Sequence, residues 1–195
     1  MLYFGSDQAA RGPLIQLYIN HPIPDKDMYV SETPIGLSSE DRHRIEQLGG
    51  NNYRKVFNIY SKLSFYLEQY LNYSRVTDIT TWQEYRDSFF LDLESPCRIA
   101  FLSDYEFSYL QEKSQLPDSL CETIKQCLNS DNVLHLFSGK KCISAFNFED
   151  RCFWMSEYFA QVKDANALVT PYFDYRQLSN ERIIQLQKLI IERIS

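Results

Sequence analysis

Apolar positions along this chain fall into two rhythms that change at Pro96. Before it, most recur at three- and four-residue spacing; after it, they gather in short runs bounded by Gly, Pro and Ser.

Leu14 to Ile19 alternates loosely around Gln16 and predicts a short strand. It is halted by Asn20-His21-Pro22-Ile23-Pro24, where the prolines forbid further ladder bonding. The polar stretch from Asp25 to Leu37, punctuated by Pro34 and Gly36, predicts a loop. A helix is expected after Ser38 or Ser39, with Glu40 and Asp41 at the positive end of its dipole and Gly49-Gly50 closing it. A longer one, about Asn52 to Asn72, carries Val56, Ile59, Tyr60, Leu63, Tyr66, Leu67, Tyr70 and Leu71 on one face, which reads as a core face. Thr81-Trp82-Gln83-Glu84 is a capping box opening a third helix to about Leu91.

Beyond Pro96, Cys97 to Leu102 suits a strand buried on both faces. Ser119 to Glu122, just after Pro117, reads as a capping box for a helix reaching about Leu128. Asn132 to Phe137 predicts another strand, stopped at Ser138-Gly139. Cys142 to Phe148 is ambiguous, with an extra edge strand as one reading, and helix is expected between about Glu149 and Val162. Ala167 to Val169 predicts a third short strand before Pro171, and a last helix from Ser179-Asn180 turns Ile183, Leu186, Ile190 and Ile194 inward.

Strand centres near positions 100, 134 and 168 are separated by helices, as βαβ crossovers require. The expected fold class is α/β: a small three- to four-stranded, mostly parallel sheet flanked by helices, with a helical N-terminal half. One domain over residues 1–195 is expected, with a strand, loop and helical part (1–95) and a βαβ-type part (96–195).

Composition narrows the function classes. The net charge of −6, from 26 acidic against 20 basic side chains, opposes non-specific attraction to nucleic acid or anionic membranes. No apolar run approaches the roughly 20 residues that span a bilayer, and the first residues lack a secretory pattern. Five cysteines without a Cys-x-x-Cys pair argue against a disulfide framework and point to the cytoplasm. His21, His43 and His135 have no metal-ligand spacing, so neither a metal nor a cofactor is predicted. His135 reads as a hydrogen-bonded core residue within its strand.

Ligands in open α/β sheets bind at the carboxyl ends of the strands. That rule selects Ser103-Asp104-Tyr105, Ser138-Gly139-Lys140-Lys141 and Thr170 to Arg176. Asp104 and Asp174 are the candidate catalytic residues, because a carboxyl beside apolar rings can rise in pKa and exchange protons. Ser103, Tyr105, Ser138, Gly139, Lys140, Thr170, Tyr172 and Arg176 are the candidate ligand-binding residues, offering hydroxyls, charge and flat rings. Competing structural roles are a cap for Asp104 and an ion pair for Asp174 and Arg176. Ser138-Gly139-Lys140 lacks the full phosphate-loop pattern, which weighs against a nucleoside triphosphate.

Leu102-Ser103-Asp104-Tyr105 after one strand and Thr170-Pro171-Tyr172-Phe173 after the last, in this order of elements, resemble the uracil-DNA glycosylase superfamily over about Cys97 to Ile194. The resemblance implies N-terminal helices, a four-stranded parallel sheet, a water-activating motif at the first segment and a second motif leading to a final helix. The first motif's glycine and proline are absent here, and Thr170 stands where that superfamily has histidine. Two functions follow: a small enzyme or ligand-binding domain taking a small-molecule or nucleobase-like ligand, or an interaction module, such as a homodimer, built on exposed Tyr and Phe.

Overall fold

Residues 1–5, 14–25, 28, 36–128 and 133–194 are described by a computed structural model of the chain. The predicted loop from Asp25 to Leu37 and the strand position Asn132 lie largely or wholly outside them.

The sheet is built on alternation. In β2 (Leu14–Pro22), Ile15, Leu17 and Ile19 enter one apolar core while Tyr18 enters another. β3 (Cys97–Leu102) repeats the division with Ile99 and Phe101 against Ala100 and Leu102. β4 (Val133–Ser138) does so with Leu134 and Leu136 against Phe137, and β7 (Ala167–Thr170) with Leu168 against Ala167 and Val169. Strands buried on both faces need apolar residues at nearly every position, which explains runs interrupted before their polar ends only by Gln16, Arg98 and His135.

These four strands are parallel, in the spatial order β3-β2-β4-β7. Three short antiparallel strands extend them: β1 (Leu2–Phe4) beside β3, β6 (Ala160–Val162) beside β7, and β5 (Cys152–Trp154) outermost. The architecture is thus mixed α/β, but the sheet has seven strands among the described residues, larger and less parallel than the periodicity predicts.

One face is covered by α1 (Ser39–Gly49), α2 (Asn51–Tyr70), α3 (Trp82–Ser88) and α7 (Asn180–Ile194). The other is covered by α4 (Asp104–Lys113), α5 (Asp118–Cys127) and α6 (Lys140–Ala145). α1 begins at the predicted cap: Ser38 accepts from the Asp41 N–H, and Asp41 bonds back to the Ser38 N–H. α2 buries the expected stripe from Val56 to Leu67 but leaves Tyr70 exposed, where the helix outruns the core.

Three assignments are corrected. The segment expected to be helical between Glu149 and Val162 is a single 3-10 turn followed by the β5–β6 hairpin. Ala160-Gln161-Val162 alternates buried, half-buried, buried against β7, a two-residue period that a helix does not satisfy. Cys142 to Phe148 holds part of helix α6, so the edge is supplied by β5 instead. α5 opens at Asp118 behind Pro117, whose fixed φ suits a helix entry, so Ser119 is inside the helix and caps nothing.

No helix among the described residues is long and apolar enough to cross a membrane.

Candidate functional site

The parallel strands set down three polar segments at one edge of the sheet. Ser138 and Thr170 are register partners on β4 and β7, so their hydroxyls end side by side. Both are buried and both are engaged with backbone: Ser138 Oγ accepts from the Phe173 N–H at 3.2 Å, and Thr170 Oγ1 lies 2.9 Å from the Pro171 carbonyl. They hold the β7–α7 loop in place. Gly139 follows with φ +86°, a conformation that favours glycine, and its N–H donates to the Thr170 carbonyl at 2.9 Å. The turn delivers Lys140, whose ammonium stands 4.6 Å from the centre of the Trp154 ring.

β2, between β3 and β4, contributes the third segment. Its pairing with β3 is irregular between Ile19 and Pro22, so Asn20 and His21 occupy a break in the ladder. Such breaks re-aim side chains. His21 packs edge-on against Tyr172 at 6.2 Å between ring centres and tilts toward Phe107 at 6.1 Å.

These segments enclose a cavity of about 610 Å³, which Asn20, His21, Ser138, Lys140, Thr170 and Tyr172 help to line. A small recess of about 100 Å³ lies behind it, sharing His21 and Tyr172 and bounded also by Asn52, Tyr53 and Phe101. Tyr53 donates its hydroxyl to the Pro22 carbonyl, which fixes the strand end above the recess. The larger volume suits a small organic ligand.

The electrostatics are asymmetric. Although its ring reaches the surface, partial burial and the nearby Lys141 charge hold the His21 pKa below the ordinary histidine value. At neutral pH its imidazole is therefore uncharged and can accept a proton. Burial, with smaller contributions from Asp174 and Cys142, pushes the Tyr172 phenol up to about 12, so it remains a donor. Lys140 and Lys141 are exposed at the rim and supply positive charge.

Of the sequence candidates, Ser138, Gly139, Lys140, Thr170 and Tyr172 line this cavity; Ser103, Asp104, Tyr105, Asp174 and Arg176 do not. Ser103 caps α4, accepting from the Glu106 N–H while Glu106 accepts from the Ser103 N–H. Asp104 and Tyr105 therefore fall in the first turn of a helix, both exposed, with Tyr105 against Tyr109. Asp174 binds Lys55 at 2.7 Å and accepts from the Arg176 N–H, while the Arg176 guanidinium lies near the Tyr175 ring. The two carboxylates are not brought together here.

Asn20 and His21 line the cavity beside these candidates, and their signal is in the sequence. The strand-end rule, applied to Leu14–Ile19, selects them directly. Trp154 ends β5 and Glu157 lies between β5 and β6, in a segment whose pattern predicts helix, so neither carries a comparable signal. Among the described residues no group of three or more His, Cys, Asp or Glu is placed to hold a metal ion.

No curated protein and no solved structure matches the chain. A family model does match it, over residues 4–191, and the chain belongs to that family, a family of unknown function (DUF6942).

Proposed function

We propose that this chain is a small α/β enzyme or ligand-binding domain whose strand-end cavity takes a planar, polar ring of nucleobase type. The observation that carries the reading is the convergence of three strand ends, from β2, β4 and β7, on one cavity with a smaller recess, lined by aromatic rings, that shares His21 and Tyr172 with it. The recess offers Tyr53, Phe101 and Tyr172 as ring surfaces and Asn52 and His21 as polar partners. An uncharged His21 would accept a hydrogen bond or a proton from the ligand, and the lysines at the rim would stabilise negative charge developing on it. Five free thiols support a reducing compartment such as the cytoplasm.

The reading extends to a divergent relative of the uracil-DNA glycosylase superfamily. Support comes from the four parallel strands, with polar loops after the first and the last and a final helix behind the last. In chain order the first parallel strand is β2, so on this reading the end of that strand, Asn20-His21-Pro22, would answer to the first motif, and Ser103-Asp104-Tyr105 follows the second.

Thermal melting against free pyrimidines and purines tests the proposal. A base at a hundred times its dissociation constant stabilises by about 2.7 kcal/mol, a shift of several degrees. The expected result is a shift with one class of base that His21→Ala abolishes. A flat panel at millimolar base, or a shift that His21→Ala leaves intact, contradicts it.

The hairpin edge favours a second reading, as an interaction module. Phe153 is 69% exposed on β5, the outermost strand, with Trp154 and Met155 beside it. Sedimentation would then give a concentration-dependent mass that Phe153→Ser lowers; a monomer at high concentration removes this reading.

A further inference from the structure

A second concave surface lies along α2. It is an open groove of about 460 Å³ lined by Arg54, Lys55 and Lys62 of α2, Trp82 at the start of α3, and Tyr175 and Asn180 before and within α7. It shares no lining residue with the strand-end cavity. In a chain of net charge −6, it concentrates cations, and no carboxylate is among its lining residues.

The partners of these cations matter. Arg54 donates to Asn51 Oδ1 at 2.8 Å and Lys62 to Asn180 Oδ1 at 2.7 Å. A neutral amide orients a cation without cancelling its charge, so both keep an attraction for an anion. Lys55 differs: it is neutralised by Asp174 at 2.7 Å and lies 5.1 Å from the Tyr175 ring centre, fixing that ring at the groove. Trp82 is held on the other side, with the Arg86 guanidinium 5.8 Å from its ring centre. Arg54 and Lys62 stand eight positions apart, about 12 Å along a helix axis, so one oxyanion meets one of them rather than both.

We propose that this groove is a binding site for a phosphate ester carried on a planar ring, the oxyanion meeting Arg54 or Lys62 and the ring stacking on Trp82 or Tyr175. Charge-assisted hydrogen bonds supply the first contact and aromatic offset stacking the second. The site is independent of the proposed nucleobase cavity.

The protein's two tryptophans separate the sites, since Trp82 lines the groove and Trp154 the cavity. In a Trp154→Phe chain, Trp82 is the only tryptophan, and its emission is titrated with inorganic phosphate, phenol, phenyl phosphate and adenosine monophosphate. The expected result is no response to phenol, a saturable response to phosphate, and binding a few-fold to about tenfold tighter for one of the two ring phosphates. The tighter ring phosphate distinguishes an aryl phosphate from a nucleotide source. Arg54→Gln and Lys62→Gln, checked by circular dichroism for an unchanged fold, weaken the tighter ligand, and at least one does so by roughly tenfold. Emission that does not saturate, equal affinity for phosphate and both ring phosphates, or affinity unchanged in both Gln variants overturns the proposal. A Trp82→Phe chain reads the cavity through Trp154 in the same titrations, so failure at one site leaves the other measurable.

Discussion

Two of the polar clusters among the described residues are treated in opposite ways. Under α2 and α3, Glu68 is fully buried and its carboxylate is saturated by the protein: Arg75 grips both oxygens, at 2.6 and 2.7 Å, and the Tyr85 hydroxyl donates to one of them. Arg75 also reaches Asp92 at 2.9 Å. Burial lifts the Glu68 pKa, and the Arg75 and Tyr85 hydrogen bonds oppose that rise. At the strand ends, by contrast, His21, Lys140 and Tyr172 stand around a cavity and are held by rings and backbone turns. The first arrangement closes on itself and serves the fold. The second presents its chemistry outward, as a site for something else must.

This contrast predicts a ranking of substitutions. The largest effect belongs to the closed cluster: Arg75→Met leaves a buried carboxylate unpaired and should cost about 3–5 kcal/mol in urea unfolding. A loss below about 1 kcal/mol would mean that the cluster is far better hydrated than its burial implies.

Next comes a closed histidine. His135 on β4 is buried, with Nδ1 2.8 Å from the Tyr18 hydroxyl, as its place within a strand suggested. Burial pushes its pKa down to about 4. Below pH 6.5 the unfolded chain takes up a proton that the folded chain refuses, so stability falls as pH drops from about 6.5 toward 4. The contribution is roughly 3 kcal/mol, present in full above pH 6.5. Unfolding curves across that window should lose this slope in His135→Gln. Smaller again, Tyr18→Phe strands the imidazole nitrogen and should cost about 1–3 kcal/mol.

The open site ranks last for stability. Lys140→Ala should change unfolding free energy by no more than about 0.5 kcal/mol, because the ammonium is solvated and its one ring contact is at the surface. A cost as large as that of Arg75→Met would place Lys140 with the structural cluster and erase the contrast.

Much of the fold was legible in the sequence because it rests on local rules. Ser38 and the stripe from Val56 to Leu67 announce their helices, and the runs at 97, 133 and 167 announce strands buried on both faces. Spatial order is another matter. That β2 lies between β3 and β4 depends on which apolar faces meet, and periodicity is silent on neighbours. α4 is hard to read because Glu106 is its only buried residue, leaving no apolar stripe. β5 and β6 are three residues each, too short for alternation to stand out against a helical rhythm. The site is half legible. Ser138, Lys140, Thr170 and Tyr172 stand at or just past the ends of strands after Pro96, and the same strand-end rule reaches His21 once it is applied to Leu14–Ile19 as well. Trp154 and Glu157, by contrast, depend on a hairpin that the periodicity does not show.

His21 faces the cavity where His135 faces only protein, and imidazole NMR of the three histidines separates the two. His21 should titrate below the ordinary histidine value, saturating nucleobase should move its ring resonances, and His135 should stay put. His21 resonances unmoved while a nucleobase saturates the protein, or no nucleobase binding at all, would contradict the proposed function.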